Sequence, residues 1–309
     1  MRLILLFFLF FSSVKAVTLE EQLDADVYLA TVNAAIVFTS QDGLSSGLYR
    51  FTKIDTEMRM YNLPLTYHFD PLSEKTNLFM VIDMGYSDTR NDGAVDVNGT
   101  FLHLDNRLQT YVGGIGAGVR YRVTEHSDLL FGGEVLYSRI GLSARLEGSA
   151  VENFFANDFN ENYSYKIFAE YAYHRNYRGY EIYTKLNYKL YKTLSKFDLT
   201  ELAEDIIGDI TSLRSQTSVA SLMMGFESDP LYHYGDMGLT FEPFIKGNYI
   251  WGDLAEVAHL SAYGTLGLSA YWNTPKKDAY VYRYFIEPSV SRGDGLEGLN
   301  LSLGFSLDF

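Results

Sequence analysis

The chain has no cysteine among its 309 residues, which excludes a disulfide framework, a thiolate zinc site and an iron–sulfur cluster. Proline is scarce at 6 and tryptophan at 2, although tyrosine reaches 25 and phenylalanine 21. Positive charge is short as well. The 25 Lys and Arg stand against 39 Asp and Glu, a formal charge of −14. A nucleic-acid binder needs a basic stripe to neutralise phosphates, so nucleic acid is not an expected partner. After residue 16 there is no long uncharged apolar run, and a spanning helix needs about 20 apolar residues. A helical membrane protein is therefore excluded. The aromatic load excludes a disordered chain.

What is present begins with MRLILLFFLFFSSVKA. Arg2 gives a positive start, Leu3 to Phe11 an apolar core, and Val14-Lys15-Ala16 a cleavage site ending in a small residue. This predicts a secretory signal over 1–16, cleaved near Ala16. The exported chain then keeps 23 basic residues against 39 acidic ones, a charge of −16.

From about residue 56 the dominant signal is alternation with period two, the mark of strands with two unlike faces. In LNLSLGFSLDF one face reads Leu299, Leu301, Leu303, Phe305, Leu307, Phe309, and the other Asn300, Ser302, Gly304, Ser306, Asp308. Similar segments occupy about 58–69, 78–88, 108–123, 129–138, 163–175, 180–190, 217–228, 238–250, 262–273 and 280–291. Short connections alternate with longer ones at 89–107, 139–162, 191–216 and 251–261. Short turns on one side and long loops on the other are what an outer-membrane barrel requires. A soluble sandwich also alternates, but it could not bury the charges found on the second face. Those are Glu134, Lys166, Glu170, Glu181, Lys185, Lys189, Glu227, Glu242, Lys246, Arg283 and Glu287. A polar lumen can hold them. With about 44–54 (LSSGLYRFTKI) as the missing even-numbered partner, the prediction is an all-β transmembrane antiparallel up-and-down barrel of twelve strands over 44–309. Pro243 and Pro288 fall on the lipid-facing parity, where each forfeits one ladder hydrogen bond.

Residues 17–43 behave differently. Thr18 and Glu21 make a capping box, and Leu19, Leu23, Val27, Ala30, Ala34 and Val37 recur at helical spacing. Alanines keep part of this helix slim, so it is expected inside the lumen as a plug. Gly114, Gly116 and Gly118 share the polar face of their strand. They either receive the helix closely or permit barrel curvature. A second helical pattern, Leu199–Leu213, lies in the longest loop.

An N-terminal helix followed by twelve strands and a terminal aromatic resembles the translocator domain of autotransporters. The stretches Phe241-Glu242-Pro243-Phe244 and Ile286-Glu287-Pro288-Ser289 resemble the Glu-Pro strand pattern of those barrels. Leu303 to Phe309 resembles their closing strand. The resemblance implies a Gram-negative outer-membrane location, lipid as surroundings, and Phe309 as the signal read by the barrel-assembly machinery. It departs from the family pattern in one respect: about 27 residues separate Ala16 from the first strand, where autotransporters carry a long passenger.

Chemistry is sparse. His174 lies on the lumen face among Tyr173, Arg175 and Asn176, without the serine and asparagine of an outer-membrane phospholipase. His103 and His259 sit near long loops with Asp105, Asp253 and Glu256 not far off, the residue types of an omptin-like protease. TRNDGAVDVNGT does not follow the spacing of a calcium-binding loop. No metal and no cofactor is expected. The lumen charges form either a salt-bridge and water network or the lining of a selective conduit. The sequence therefore points to a non-enzymatic barrel, a plugged pore or surface module. A hydrolase and an adhesin acting through 139–162 and 191–216 are the alternatives.

Overall fold

The computed structural model describes residues 34, 36–38, 45–97, 100–148, 151–196, 212–235, 237–274 and 281–307. Thirteen strands run in chain order: β1 (Ser45–Phe51), β2 (Thr56–His68), β3 (Thr76–Val97), β4 (Thr100–Thr124), β5 (Ser127–Gly148), β6 (Val151–Tyr177), β7 (Tyr180–Lys196), β8 (Ser212–Ser228), β9 (Tyr232–Tyr234), β10 (Met237–Gly252), β11 (Ala262–Asn273), β12 (Val281–Gly293) and β13 (Leu296–Leu307). A short helix, α1 (Asp253–Val257), lies between β10 and β11. Each wall strand pairs antiparallel with its neighbours, and β1 closes the sheet onto β13 from Ser45↔Ser302 to Phe51↔Leu296. Twelve strands make the closed barrel, as the alternation predicted. The thirteenth, β9, pairs only with β10.

That addition follows from a proline. The β8–β10 ladder runs from Thr217↔Gly252 down to Gly225↔Phe244 and stops at Pro243, which has no N–H to give. Below the stop, Phe241 N–H donates to Ser228 Oγ at 3.1 Å, and β9 pairs with Met237–Leu239 instead. Pro288 likewise interrupts the β11–β12 ladder between Gly267↔Ser289 and Ala270↔Ile286. Both interruptions fall where the outward parity placed the prolines.

Alternation sorts the side chains as the period demands. Outward residues are apolar and exposed, with Ile115 at 59%, Val135 at 64%, Leu266 at 62% and Leu299 at 63%. So wide a bare apolar surface is unfavourable in water and favourable in hydrocarbon. Among the described residues no helix is long and apolar enough to cross a membrane. The strands do the crossing. Aromatic rings mark the band's two edges. Tyr61, Tyr86 and Tyr111 stack along one edge at 6.2 and 5.0 Å, followed by Tyr137–Tyr163 at 5.5 Å and Tyr188–Trp251 at 5.7 Å. Tyr67–Phe69 and Tyr180–Phe226 lie on the other. From Tyr111 to Tyr121 the strand covers about 33 Å, or about 25 Å across the bilayer at a tilt of about 40°.

One expectation is corrected. The stretches 89–107 and 139–162 are not irregular loops: the β3–β4 ladder continues to Val97↔Thr100 and β5–β6 to Gly148↔Val151. Beyond the bilayer neither face has to be apolar, so the two-faced signal fades while the backbone ladder persists. The helical pattern at Leu199–Leu213 lies mostly outside the described residues, and its last two residues already belong to β8.

Inside the wall, large rings lie across glycines of the adjacent strand: Tyr49 over Gly298, Phe79 over Gly118, Phe168 over Gly132, Phe244 over Gly267 and Phe285 over Gly304. A Cβ at any of these glycines would overlap the ring. Gly267 and Gly304 are the cleanest cases, because the nearest neighbours of each all belong to one ring, Phe244 and Phe285 respectively. Gly267→Ala should destabilise the barrel by about 1–3 kcal/mol through overpacking. Gly267→Ala combined with Phe244→Ala should cost less than the sum of the single changes. Urea unfolding of the four proteins in detergent micelles checks this, and strict additivity would show that the ring does not rest on the glycine.

Candidate functional site: the occupied lumen

The lumen has two tiers of opposite character. Towards the rim that carries the β1–β2, β10–β11 and β12–β13 connections, the large inward residues are apolar, interleaved with small polar ones such as Thr110, Ser138 and Asn162. Tyr49, Phe51, Met58, Met60, Leu108, Val112, Leu136, Ile140, Tyr191, Ile250 and Leu296 form one buried cluster. Ala34, Ile36, Val37 and Phe38, all helical, sit within it. Ile36 and Phe38 have no exposed surface at all. The Phe38 ring lies 4.9 Å from Tyr49, 5.7 Å from Phe51 and 6.1 Å from Tyr263, centroid to centroid. The predicted N-terminal helix is therefore inside the barrel where the structure describes it. The rest of 17–43 lies outside the described residues.

Below this tier the lumen is charged. Lys166 on β6 reaches Glu134 on β5 at 2.6 Å and Asp83 on β3 at 3.1 Å, with all three side chains at most 4% exposed. The ammonium thus bridges β3 and β5 across the intervening β4, and this is possible because β4 offers only Gly116 there. A Cβ at Gly116 would strike Glu134. Glu134 Oε2 is buried and has no hydrogen-bond partner among the described residues. Farther round, Glu227 receives Arg283 and the Thr240 hydroxyl at 2.6 Å. The Arg283 guanidinium lies 3.6 Å from the Tyr271 ring centre. Tyr183 donates to Glu242 at 2.7 Å and Ser269 to Glu287 at 2.6 Å. Glu170 accepts from Asn187 at 3.0 Å. Lys185 sits 5.7 Å from the Tyr183 ring centre, and Lys189 and Lys246 are half-buried on lumen parity. Glu181 is exposed at the mouth.

No protein-family model and no curated protein matches the chain. Solved structures do match. The β-domain of the Bordetella autotransporter BrkA superposes with a TM-score of 0.58 at 9% identity, covering 86% of this chain and 97% of that one. The transport unit of AIDA-I from Escherichia coli gives 0.57 at 10%, covering 92% and 97%. The translocator domain of NalP from Neisseria meningitidis gives 0.54 at 14%, covering 92% and 95%. The fold is that of an autotransporter translocator barrel.

In this translocator-type barrel the inward glycines have wall side chains over them. Leu136 lies nearest Gly114, Glu134 nearest Gly116 and Phe79 nearest Gly118, all from strands beside β4. Among the described residues the histidine side chains do not assemble a site. His174 meets His126 edge to face at 6.4 Å, and His126 Nε2 lies 3.5 Å from the exposed Glu125 carboxylate. His259 occupies a left-handed turn position, φ 49°. Among the described residues no three His, Asp or Glu side chains are placed to hold a metal. The side chain of His103, and Phe309 altogether, lie outside what is described.

Three lumen ion-pair members were missed in the sequence: Asp83, Arg120 and Asp128. Asp83 sits among Val81, Ile82, Met84 and Gly85, where apolar residues on both parities hide which face looks inward. Arg120 pairs with the buried Asp128 at 2.5 Å beside a turn, and charges next to turns read as solvated. The triad generates a stability prediction. Lys166→Met strands two buried carboxylates and should cost about 3–5 kcal/mol, whereas Lys166→Met with Asp83→Asn and Glu134→Gln should recover most of it. Unfolding in detergent micelles measures both. Equal losses in the single and triple variants would mean that packing, not charge, sets the cost.

Proposed function

We propose that the protein is an outer-membrane conduit held closed from within by its own N-terminal segment. The observation that carries this reading is the complete burial of Ile36 and Phe38 inside a closed barrel whose lower lumen is lined with acidic and basic side chains. Side chains of that kind belong beside water or an ionic partner, so the charged tier suits a hydrated passage that the apolar tier stops. The rim with the short turns, among them Arg178-Gly179 with φ of 52° and 84°, then faces the periplasm. Lipid surrounds the aromatic-edged band. Residues 1–16 serve as the export signal, and the closing strand ending at Phe309 is the part offered to the assembly machinery.

A surface role is favoured by a separate observation. The β3–β4 and β5–β6 hairpins continue well past the tyrosine edge at Tyr111 and Tyr137, and would stand above the outer leaflet.

The conduit reading is tested by single-channel recording in planar bilayers. The full chain should be silent. Ile36→Asp with Phe38→Asp cannot stay in the apolar tier and should produce discrete openings. Silence of that variant, with heat-modifiable migration confirming a folded barrel, would remove the conduit from consideration.

A further inference from the structure

The connection between β10 and β11 does not project into solvent; it turns back over the apolar tier. Gly252 makes the turn possible. Its φ of 92° is a left-handed value, and a Cβ there would strike the Gln216 carbonyl. The chain then forms α1 and returns through Ser261, whose carbonyl accepts from Ile250 N–H at 2.8 Å. Leu254 and Leu260 are wholly buried, and Ala258 nearly so, in the same cluster that holds Phe38.

Three polar ties hold this segment to two different parts of the rim, β8 and the β1–β2 turn. The Asp253 carboxylate accepts from Gln216 N–H at 2.7 Å, and Thr217 Oγ1 accepts from Leu254 N–H at 3.4 Å, both on β8. Lys53, in the β1–β2 turn, donates to the His259 carbonyl at 3.3 Å and pairs with Asp294 of the β12–β13 turn at 2.6 Å. A loop that only joined two strands would need neither buried leucines nor ties to non-adjacent turns. Nothing in these ties involves the N-terminal segment.

We infer that residues 253–261 are a second seal on the lumen, latched separately from the N-terminal plug and packed on it through one shared apolar cluster. This rests on the conduit reading. It adds that the plug alone does not decide whether the passage is open, and that the second seal is on the side where an external partner can reach it.

Four full-length proteins in planar bilayers test it: the unchanged chain, the plug variant (Ile36→Asp, Phe38→Asp), a cap variant (Leu254→Ser, Leu260→Ser) and the two combined. Lys53→Ala serves as a milder cap change should the leucine pair prevent folding, with heat-modifiable migration as the check. The plug variant should flicker, and adding the cap substitutions should lengthen its mean open time about tenfold or more. The cap variant alone should stay silent. Equal open times with and without the cap substitutions would overturn the second seal while leaving the conduit intact. Silence of all four folded proteins would instead overturn the conduit, and the cap with it. Conductance from the cap variant alone would show that the cap seals and that the plug does not.

Discussion

In hydrocarbon no water can satisfy a backbone N–H or C=O, so a sheet that crosses a membrane has to meet itself. Here that closure rests on β1, whose seven residues pair with β2 on one side and β13 on the other. Once the ladder is closed, the two parities of every strand acquire opposite solvents. The same alternation that would be a half-buried sheet in water becomes lipid on one side and an enclosed lumen on the other. The exposed leucines, the ring-marked edges and the inward charges all follow from that single topological fact.

Closure also makes space scarce. Twelve tilted strands enclose a narrow lumen, and its inward positions cannot all be large. The wall resolves this by setting rings against glycines across neighbouring strands, as Phe79 does on Gly118 and Phe285 on Gly304. The glycines of β4 go further. With Gly116 between them, Glu134 and Lys166 can reach Asp83 across a strand that adds no side chain of its own. A stripe that weakens one strand in isolation thus lets three others share a buried ion-pair triad. The enthalpic return comes from the pairs and the packing, not from the strand that carries the glycines.

Much of this was legible in the residues, because period two is written most clearly where lipid enforces it. The face assignments for Tyr163, Tyr165 and Ile167, and for Glu134 and Lys166 opposite, follow directly from counting. Strand order follows too, since an up-and-down barrel leaves little choice. Three features were not legible, each for a physical reason. The hairpins above the bilayer continue without a two-faced pattern, since no lipid selects one. Asp83 is flanked by apolar residues on both parities, so alternation is silent about it. The seating of residues 253–261 depends on contacts with β8 and the distant β1–β2 turn, and no local spacing records such contacts. Sequence reasoning therefore located the wall and most of its inward charges, and it found the occupant at the N-terminus, whose helical period is local. It missed what is made by chain segments meeting from afar.

On the proposed conduit reading, the division of the lumen into two tiers bears on what opening it would cost. The described residues of the segment, Ala34, Ile36, Val37 and Phe38, carry no charge, and the Lys166 triad and the Glu227–Arg283 pair beneath them are made by wall residues. Withdrawing these four residues leaves the triad and the Glu227–Arg283 pair as they are. What it costs is apolar burial, about 1.5–3 kcal/mol for each large side chain returned to water. A few such side chains amount to the few kcal/mol by which a ligand or partner can shift a two-state equilibrium. Had these four residues been held by buried ion pairs, their release would have left unpaired charges in a low-dielectric lumen at far greater cost. On the conduit reading, apolar packing at Ile36 and Phe38 is thus a closure that holds and is still within reach of a binding event.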